Sequence, residues 1–430
     1  MGFGKDSHMR KKVKPKVFFK TFGCRTNLFD TQVMIENLKD YVLAQNEEEA
    51  EIIIINSCTV TNGADTGVRQ YLNRWQKTGK KLYFTGCGVA TKGKEILNQV
   101  QGVFAHDHKE KINSLLKQEQ KFFLPTQDAL HIDSTLVSEF VGKSRAFIKI
   151  QEGCDFACSY CIIPFSRGKA RSLPQESILS QIKLLAQNGI QEVVLTGTNM
   201  GSYGKDTQSS VAKLIKQISQ IQGIKRIRVG SLEPSQIDEE FLELLGEDFL
   251  ERHLHIALQH THNAMLEKMN RLNRFESDLA LLELIASKGF ALGSDYIIGH
   301  PGESEEIWKE AYANLTLFPL THIHPFIYSP REGTPSASMK PLINGSISKD
   351  RLHQVNALIA KNNLAFRQKN ANIPLKVLIE NHKEGIAYGL DQFFNKIQIR
   401  SQNPLSGWIT LDSYTIMQDC TLAQKEENVS

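Results

Sequence analysis

From Lys16 to about Leu116, short runs of β-forming residues alternate with stretches of helical period. The runs are Lys16–Phe22, Glu51–Asn56 and Lys81–Thr85. Such alternation buries a mainly parallel sheet between helices, so it predicts an open α/β domain. The stretch from about Gln118 to Ser144 is polar and without period, and it predicts a linker. A second series opens with Ala146–Ile150. It continues through Glu192–Leu195 (after a helix near Glu176 to Asn188), Arg226–Val229, His255–Leu258, Ala291–Ile298 and His322–Phe326. About six such strand and helix units predict a partial (β/α) barrel with its site at the carboxyl ends of the strands. From about Ile373 the pattern changes to β-rich runs at Leu375–Glu380, Gly385–Gly389, Lys396–Arg400 and Trp408–Leu411, which predicts a small antiparallel β-barrel. The predicted fold class is α/β, divided into an N-terminal open-sheet domain (14–117), a linker (118–142), a central barrel (143–371) and a C-terminal module (372–430).

A chain of 430 residues with 41% hydrophobic and 23% charged side chains has the composition of an ordinary soluble protein. Even the apolar run Ile52–Ile55 is far too short to span a bilayer, and no leader pattern opens the chain, so no membrane partner and a cytoplasmic location are expected. Residues 1–10 read as a tag and start rather than as part of the fold. A net charge of +4 carries no claim about nucleic acid by itself. Lys349, Arg351, Lys361, Arg367 and Lys369 share a helical segment in which Asp350 is the only opposing charge; such a run reads first as a solvated helix face. The C-terminal module, with five basic and seven acidic residues from 371 to 430, is no strong attractor of RNA and would need help from that helix.

Seven cysteines, an odd number, point to metal in a reducing compartment rather than to a disulfide scaffold, with Cys420 the inert remainder. Cys154, Cys158 and Cys161 form a C-x3-C-x2-C run whose thiolates can bind three corners of an iron–sulfur cube and leave the fourth iron for a ligand. Structural zinc is the competing reading, but it normally takes a fourth Cys or His nearby, and neither Lys149–Glu152 nor Ile162–Phe165 offers one. Cys24, Cys58 and Cys87 each follow one of the first three strands within three residues. Ligands of open α/β sheets gather at strand carboxyl ends, so these three predict a second metal site. Gly23, Gly86 and Gly88 beside them suit a backbone that must approach a bulky cluster. Polar residues recur at the strand ends of the barrel: Thr196, Gly197 and Asn199, then Ser231 and Glu233, then Gln259, with Asp295 inside a later strand. Their recurrence predicts a binding mouth.

Thr21–Cys24 with Asn27, Asn56–Val60, Gly86-Cys87, Gln151–Cys154 through Cys161–Pro164, Arg167-Gly168, Arg171-Ser172, Leu258-Gln259, Gly299 with Pro301–Glu303, and Tyr328–Pro335 resemble the radical S-adenosylmethionine (SAM) methylthiotransferases. Gly389–Phe394 is similar to the turn of the TRAM module that closes those enzymes. The resemblance covers nearly the whole chain from Lys16. It implies a radical-SAM core and an enzyme with two [4Fe-4S] clusters, one SAM-cleaving at Cys154, Cys158 and Cys161 and one sulfur-carrying at Cys24, Cys58 and Cys87. It implies that sulfur is inserted at an unactivated C–H bond and methylated, with SAM serving as methyl donor and as radical source. Tyr160 then sits against the adenine of SAM, and Thr196, Gly197, Asn199, Ser231, Glu233 and Gln259 belong to the cofactor's surroundings. Arg167 and Arg171 are expected to face the substrate, the anticodon arm of a tRNA. An electron donor and a sulfur source, both unidentified, complete the partners.

The run Cys24-Arg25-Thr26-Asn27 resembles the branch acting on N6-threonylcarbamoyladenosine at position 37, where Arg25, Arg167 or Arg171 could pair with the substrate carboxylate. The branch acting on isopentenyladenosine, the branch acting on an aspartate of a ribosomal protein, and a noncatalytic iron–sulfur RNA-binding or redox-sensing protein are the alternatives. His260-Thr261-His262 stands where relatives carry Ser-Gly; the two histidines read as substrate contacts or as surface residues, the surface reading slightly ahead.

Overall fold

The computed structural model describes residues 14–60, 62–140 and 144–424; the tag expected at 1–10 lies outside them. The chain divides into two compact units, up to Thr135 and from Leu136 onward.

The first unit is a six-stranded parallel sheet in the order β2-β1-β3-β4-β5-β6. The strands are β1 (Lys16–Thr21), β2 (Val42–Leu43), β3 (Ile52–Ser57), β4 (Lys81–Gly86), β5 (Gly102–Phe104) and β6 (Phe122–Leu124). Helices α1 (Arg25–Glu36), α2 (Asn62–Trp75), α3 (Val89–Ile96) and the single turn α4 (Ile112–Leu115) connect them. Every residue of β3 is buried, as a central parallel strand covered on both faces requires. Ile53 and Ile55 pack with Leu72, Trp75 and Phe84, whereas Ile52 and Ile54 pack on the other face with Met34, Tyr83 and Phe104.

The linker reading of 118–142 is corrected here. Phe122–Leu124 adds the sixth strand, Phe123 pairing with Val103; residues 125–130 after it are exposed, but the stretch at 133–135 is tied to the sheet unit. Lys109 Nζ lies 3.0 Å from Asp30 and 2.6 Å from Asp133, and Glu110 accepts from the backbone and hydroxyls of Ser134 and Thr135. A three-residue edge strand is too short to give a period, and buried ion pairs have the same composition as a linker.

The second unit opens with two sheet pieces. One has the order β10-β9-β7-β8 and the other β11-β12-β13. Their strands are β7 (Ala146–Glu152), β8 (Arg171–Ser172), β9 (Glu192–Gly197), β10 (Arg226–Val229), β11 (His253–His255), β12 (Ala291–Ile298) and β13 (Leu320–Ile327). Around them lie α5 (Ile163–Arg167), α6 (Gln175–Gln187), α7 (Val211–Ile218), α8 (Glu239–Leu242), α9 (Asn263–Lys268), α10 (Phe275–Ser287), α11 (Glu305–Leu317) and α12 (Gly345–Lys369). All pairings are parallel except β7 with β8, and bridges Ile227–Leu250 and Leu232–Ile256 carry the wall from β10 to β11, giving six parallel strands of a partial barrel.

The C-terminal strands β14 (Leu375–Lys383), β15 (Ile386–Leu390), β16 (Lys396–Arg400), β17 (Trp408–Leu411), β18 (Thr415–Ile416) and β19 (Thr421–Gln424) form a curled sheet in the order β17-β14-β15-β16-β19-β18. It is antiparallel except where β19 runs parallel to β16. Its core is Val377, Ile379, Ala387, Phe393, Ile397 and Ile399. The sequence pattern located β14 to β17 and missed β18 and β19, which are short and lie in polar surroundings. This sheet sits under the barrel. Arg226 and Arg228, paired with the buried Glu192 at 2.5 and 2.7 Å, reach on to the carbonyls of Lys376 and Asp391 at 3.0 Å each.

The basic helix is also corrected. Arg351 bonds Glu303 and Glu305, and Arg367 donates to the carbonyls of Met417, Gln418 and Cys420, so both are buried structural residues; Lys349, Lys361 and Lys369 remain exposed. Among the described residues, no helix is long and apolar enough to cross a membrane.

Candidate functional site

The C-x3-C-x2-C loop leaves β7 through Gly153, which takes φ +75°; a Cβ there would lie 1.8 Å from the carbonyl oxygen of Lys169, so only glycine fits. The Cys154 N–H bonds the Gly168 carbonyl at 3.1 Å, and the Cys161 N–H closes a turn onto the Cys158 carbonyl at 3.0 Å. Between them Ser159 binds the loop to the end of α9, its N–H to the Met269 carbonyl and its hydroxyl to the Lys268 carbonyl, both at 2.9 Å. Asn270 donates to the Ala157 carbonyl at 2.8 Å. The loop is thus held from both sides of the barrel while its three thiols stay partly exposed.

Burial raises the Cys154 thiol and pushes Cys161 up to about 12, so these sulfurs become thiolates only when a metal displaces the proton. Two donors already point at them: Asn199 Nδ2 lies 3.5 Å from Cys154 Sγ, and Arg271 Nη1 lies 3.9 Å from Cys158 Sγ. Hydrogen bonds to cluster sulfurs are a lever on potential, so the pair fits an iron–sulfur group. Gln151 fixes the geometry, donating to the carbonyls of Glu152 and Gly153 and accepting the Asn199 N–H at 2.8 Å.

Glu233 takes both arms of Arg271, at 2.8 and 2.5 Å, and a small cavity beside Cys158 is lined by Asp155, Phe156, Glu233, Arg271 and Asn273. Tyr160 packs against Met265, Met269 and Ile297. Thr196 is buried at the end of β9, Gly197 lies against the Gln151 backbone and Ser231 is exposed after β10. Gln259 is at φ +65°, bridging Asp295 and Ile297 of β12 through its backbone. The structure thus groups Asn199 and Glu233 with the cysteine loop. Arg271 was missed, and Gln151 was read as part of the motif without its positioning role. An arginine in the Asn270–Arg274 loop looks like any surface residue until the fold turns it inward.

The surroundings of three residues differ from expectation. Arg167 and Arg171 are turned inward rather than to an open mouth: both are buried, Arg167 Nη1 at 2.5 Å and Arg171 Nη2 at 3.7 Å from Glu152, which also holds Lys149 at 2.8 Å. Arg171 further donates to the carbonyls of Arg167 and Lys169. His260 is not a surface residue. Its Nδ1 accepts the His262 N–H, so Nε2 carries the proton toward Glu303 at 3.0 Å, and the ring stacks on Tyr296. His262 is half-buried beside Glu310.

In the first unit, Cys24, Cys58 and Cys87 follow β1, β3 and β4, three adjacent parallel strands. Cys58 and Cys87 are buried and Cys24 is exposed at the start of α1. Gly23, at φ +99°, leaves no room for a side chain: a Cβ would stand 2.5 Å from Cys58 Cβ and 2.8 Å from its Sγ. Asn27, fully buried, donates at 2.9 Å to the carbonyls of Phe22 and Ser57 and presents its Oδ1 3.9 Å from Cys87 Sγ. One amide therefore pins the ends of β1 and β3 next to two of the thiols, a cradle that fits a sulfur-rich cluster.

Residues 16–105 match the family described as "Uncharacterized protein family UPF0004", and residues 148–315 match the radical SAM superfamily. A Helicobacter pylori protein provisionally named a methylthiotransferase is 59% identical over 94% of this chain and 98% of its own. The threonylcarbamoyladenosine tRNA methylthiotransferase MtaB of Aquifex aeolicus is 34% identical over 85% of this chain and 92% of its own. Among solved structures, the radical SAM methyltransferase TsrM of Kitasatospora setae shares the fold, with a TM-score of 0.57, 13% identity and coverage of 87% of this chain and 81% of that one. The noncatalytic reading falls with these matches. The chain belongs to the radical-SAM methylthiotransferases, close to the MtaB-like members, and is an enzyme that works with SAM and a [4Fe-4S] cluster.

Proposed function

We propose that this methylthiotransferase modifies tRNA, placing a methylthio group at C2 of N6-threonylcarbamoyladenosine at position 37. The observation that carries the reading is kinship along nearly the whole chain with an Aquifex enzyme named for that nucleoside. The Arg25-Thr26 pair after Cys24 supports it.

When bound, SAM and its cluster supply one-electron chemistry at a carbon that has no leaving group. Cys154, Cys158 and Cys161 would hold that cluster, with Asn199 and Arg271 donating toward two of the sulfurs. Asn199 and Glu233, the latter oriented by Arg271, would line the SAM site beside them, with Tyr160, Thr196, Gly197, Ser231 and Gln259 completing its surroundings. Cys24, Cys58 and Cys87 hold a second [4Fe-4S] cluster, which carries the sulfur. A target base must leave its stack to reach a site at the strand ends, and an unstacked adenosine beside the anticodon costs little to splay out. An external electron donor and an external sulfur source complete the cycle.

Nucleoside mass spectrometry of tRNA from a strain lacking the protein tests the substrate. The 2-methylthio derivative of N6-threonylcarbamoyladenosine should vanish while its precursor accumulates. Loss of the methylthio group from isopentenyladenosine instead, with the threonylcarbamoyl product intact, would transfer the enzyme to the other branch.

A further inference from the structure

The barrel wall carries a second group of ligand-type side chains that the cysteine sites do not use. His255 ends β11, Asp295 is in the middle of β12 and His324 lies in β13, directly across from Asp295 in the strand register. His255 pairs with Gly293, which has no side chain; a Cβ there would lie 2.9 Å from His253 Nε2 and 3.0 Å from His255 Nδ1. The missing side chain lets His255 lean along the sheet toward Asp295. One nitrogen from each imidazole and a carboxylate oxygen all fall within 4.8 Å of one another.

The spacing inside the group is informative. His255 Nε2 is 3.2 Å from one Asp295 oxygen and His324 Nδ1 is 3.7 Å from the other, so both imidazoles face the same carboxylate. Two ligands each about 2.1 Å from a zinc-sized ion at a tetrahedral angle stand roughly 3.4 Å apart. The observed separations bracket that value. The comparable trio of Glu110, His131 and Asp133 differs, because the Lys109 ammonium already stands 2.6 Å from Asp133 and supplies the positive charge.

We propose that His255, Asp295 and His324 form a mononuclear site for a divalent transition-metal ion of the zinc or ferrous class, separate from both cysteine triplets. Two imidazoles and one carboxylate suit these borderline ions rather than magnesium or calcium. Three protein ligands leave a coordination position open, and His324, with its side chain 60% exposed, places that opening on the accessible side. On the inner side, His253 stacks on Phe394 of the C-terminal sheet at 4.9 Å, which closes the layer behind the ligands. Ile297, two residues beyond Asp295 on the same strand face, packs against Tyr160, so the ion would lie one strand step from the wall of the SAM site.

The test uses the full chain with its clusters assembled, stripped of loosely held metal and titrated with zinc. Metal analysis and calorimetry should find about one zinc per chain, with affinity falling at least about tenfold in both His324→Ala and Asp295→Asn while iron content stays at the parent level. His324 is exposed and Asp295→Asn is isosteric, so at least one variant keeps the fold. Zinc uptake that is the same in parent and both variants, or absent from the parent at micromolar zinc, would overturn the proposal and leave the trio as a proton-sharing contact.

Discussion

Gly23→Ala should empty the first unit's cysteine site while leaving the SAM site working. The added methyl carbon would sit 2.5 Å from Cys58 Cβ and 2.8 Å from its Sγ, where carbon contacts are ordinarily about 3.5–4.0 Å. Something must move by about 1 Å. Neither side yields easily: Asn27 pins the Phe22 and Ser57 carbonyls, and Cys58 is buried. The φ of +99° adds about 1–2 kcal/mol of backbone strain for any L-residue. Gly79→Ala separates the two effects, because Gly79 has φ +76° but nothing within 4 Å of its added carbon. The assay is iron per chain after anaerobic reconstitution, with SAM cleavage and methylthio product measured on the same samples. Gly23→Ala should lose about half the iron and nearly all the product yet keep 5′-deoxyadenosine formation, while Gly79→Ala should match the parent. A Gly23→Ala protein with full iron and full product would refute the claim that the cluster is seated against this turn.

Changing Cys154, Cys158 and Cys161 together to alanine should produce the complementary pattern, about half the iron retained with SAM cleavage abolished, and iron analysis with product chromatography will show it. Arg167→Ala, which leaves the buried Glu152 short of a partner at 2.5 Å, should cost about 3 kcal/mol of stability without changing the salt dependence of tRNA binding; a drop of about one in the log–log salt slope would return Arg167 to the substrate. His131 is raised to about 9 by Asp133 and Glu110. A folded value above the unfolded 6.5 means its contribution is full below pH 6.5 and lost as pH rises through 9. After discounting for its partial exposure, the stability gap between parent and His131→Ala should be about 1–2 kcal/mol at pH 6 and close to nothing by pH 10, as read from paired thermal melts.

How far the sequence could be read depended on whether a residue's role is set locally or by remote partners. Ile52–Ile55 announces a buried parallel strand because its neighbours hardly matter, and C-x3-C-x2-C is legible as a candidate cluster loop because its three thiols share one loop. Cys24, Cys58 and Cys87 are far apart in sequence, yet they could be linked through a topological rule, since parallel strands bring their carboxyl ends to one edge. No such rule covers the charged residues. Arg167, Arg171, Arg351 and Arg367 look like surface cations in the chain, and each is instead buried against a carboxylate or a row of carbonyls.

The physical reason is that a buried charge is tolerable only with its partners in place, and those partners come from other elements: Glu152 from β7 for Arg167, Glu303 from the loop before α11 for Arg351. Composition sees the cation and not the pairing. The same blindness hid Arg271, whose contacts to Glu233 and Cys158 span 38 and 113 residues, and hid His260, which the sequence placed at the surface and the fold seals against Glu303. Arg367 docks the C-terminal strands, whereas Arg167, Arg171 and Arg271 sit beside the cysteine loop. An apolar side chain there would fix depth only, whereas a paired charge fixes direction, and direction is what the cysteine loop needs if Asn199 and Arg271 are to aim at particular sulfurs.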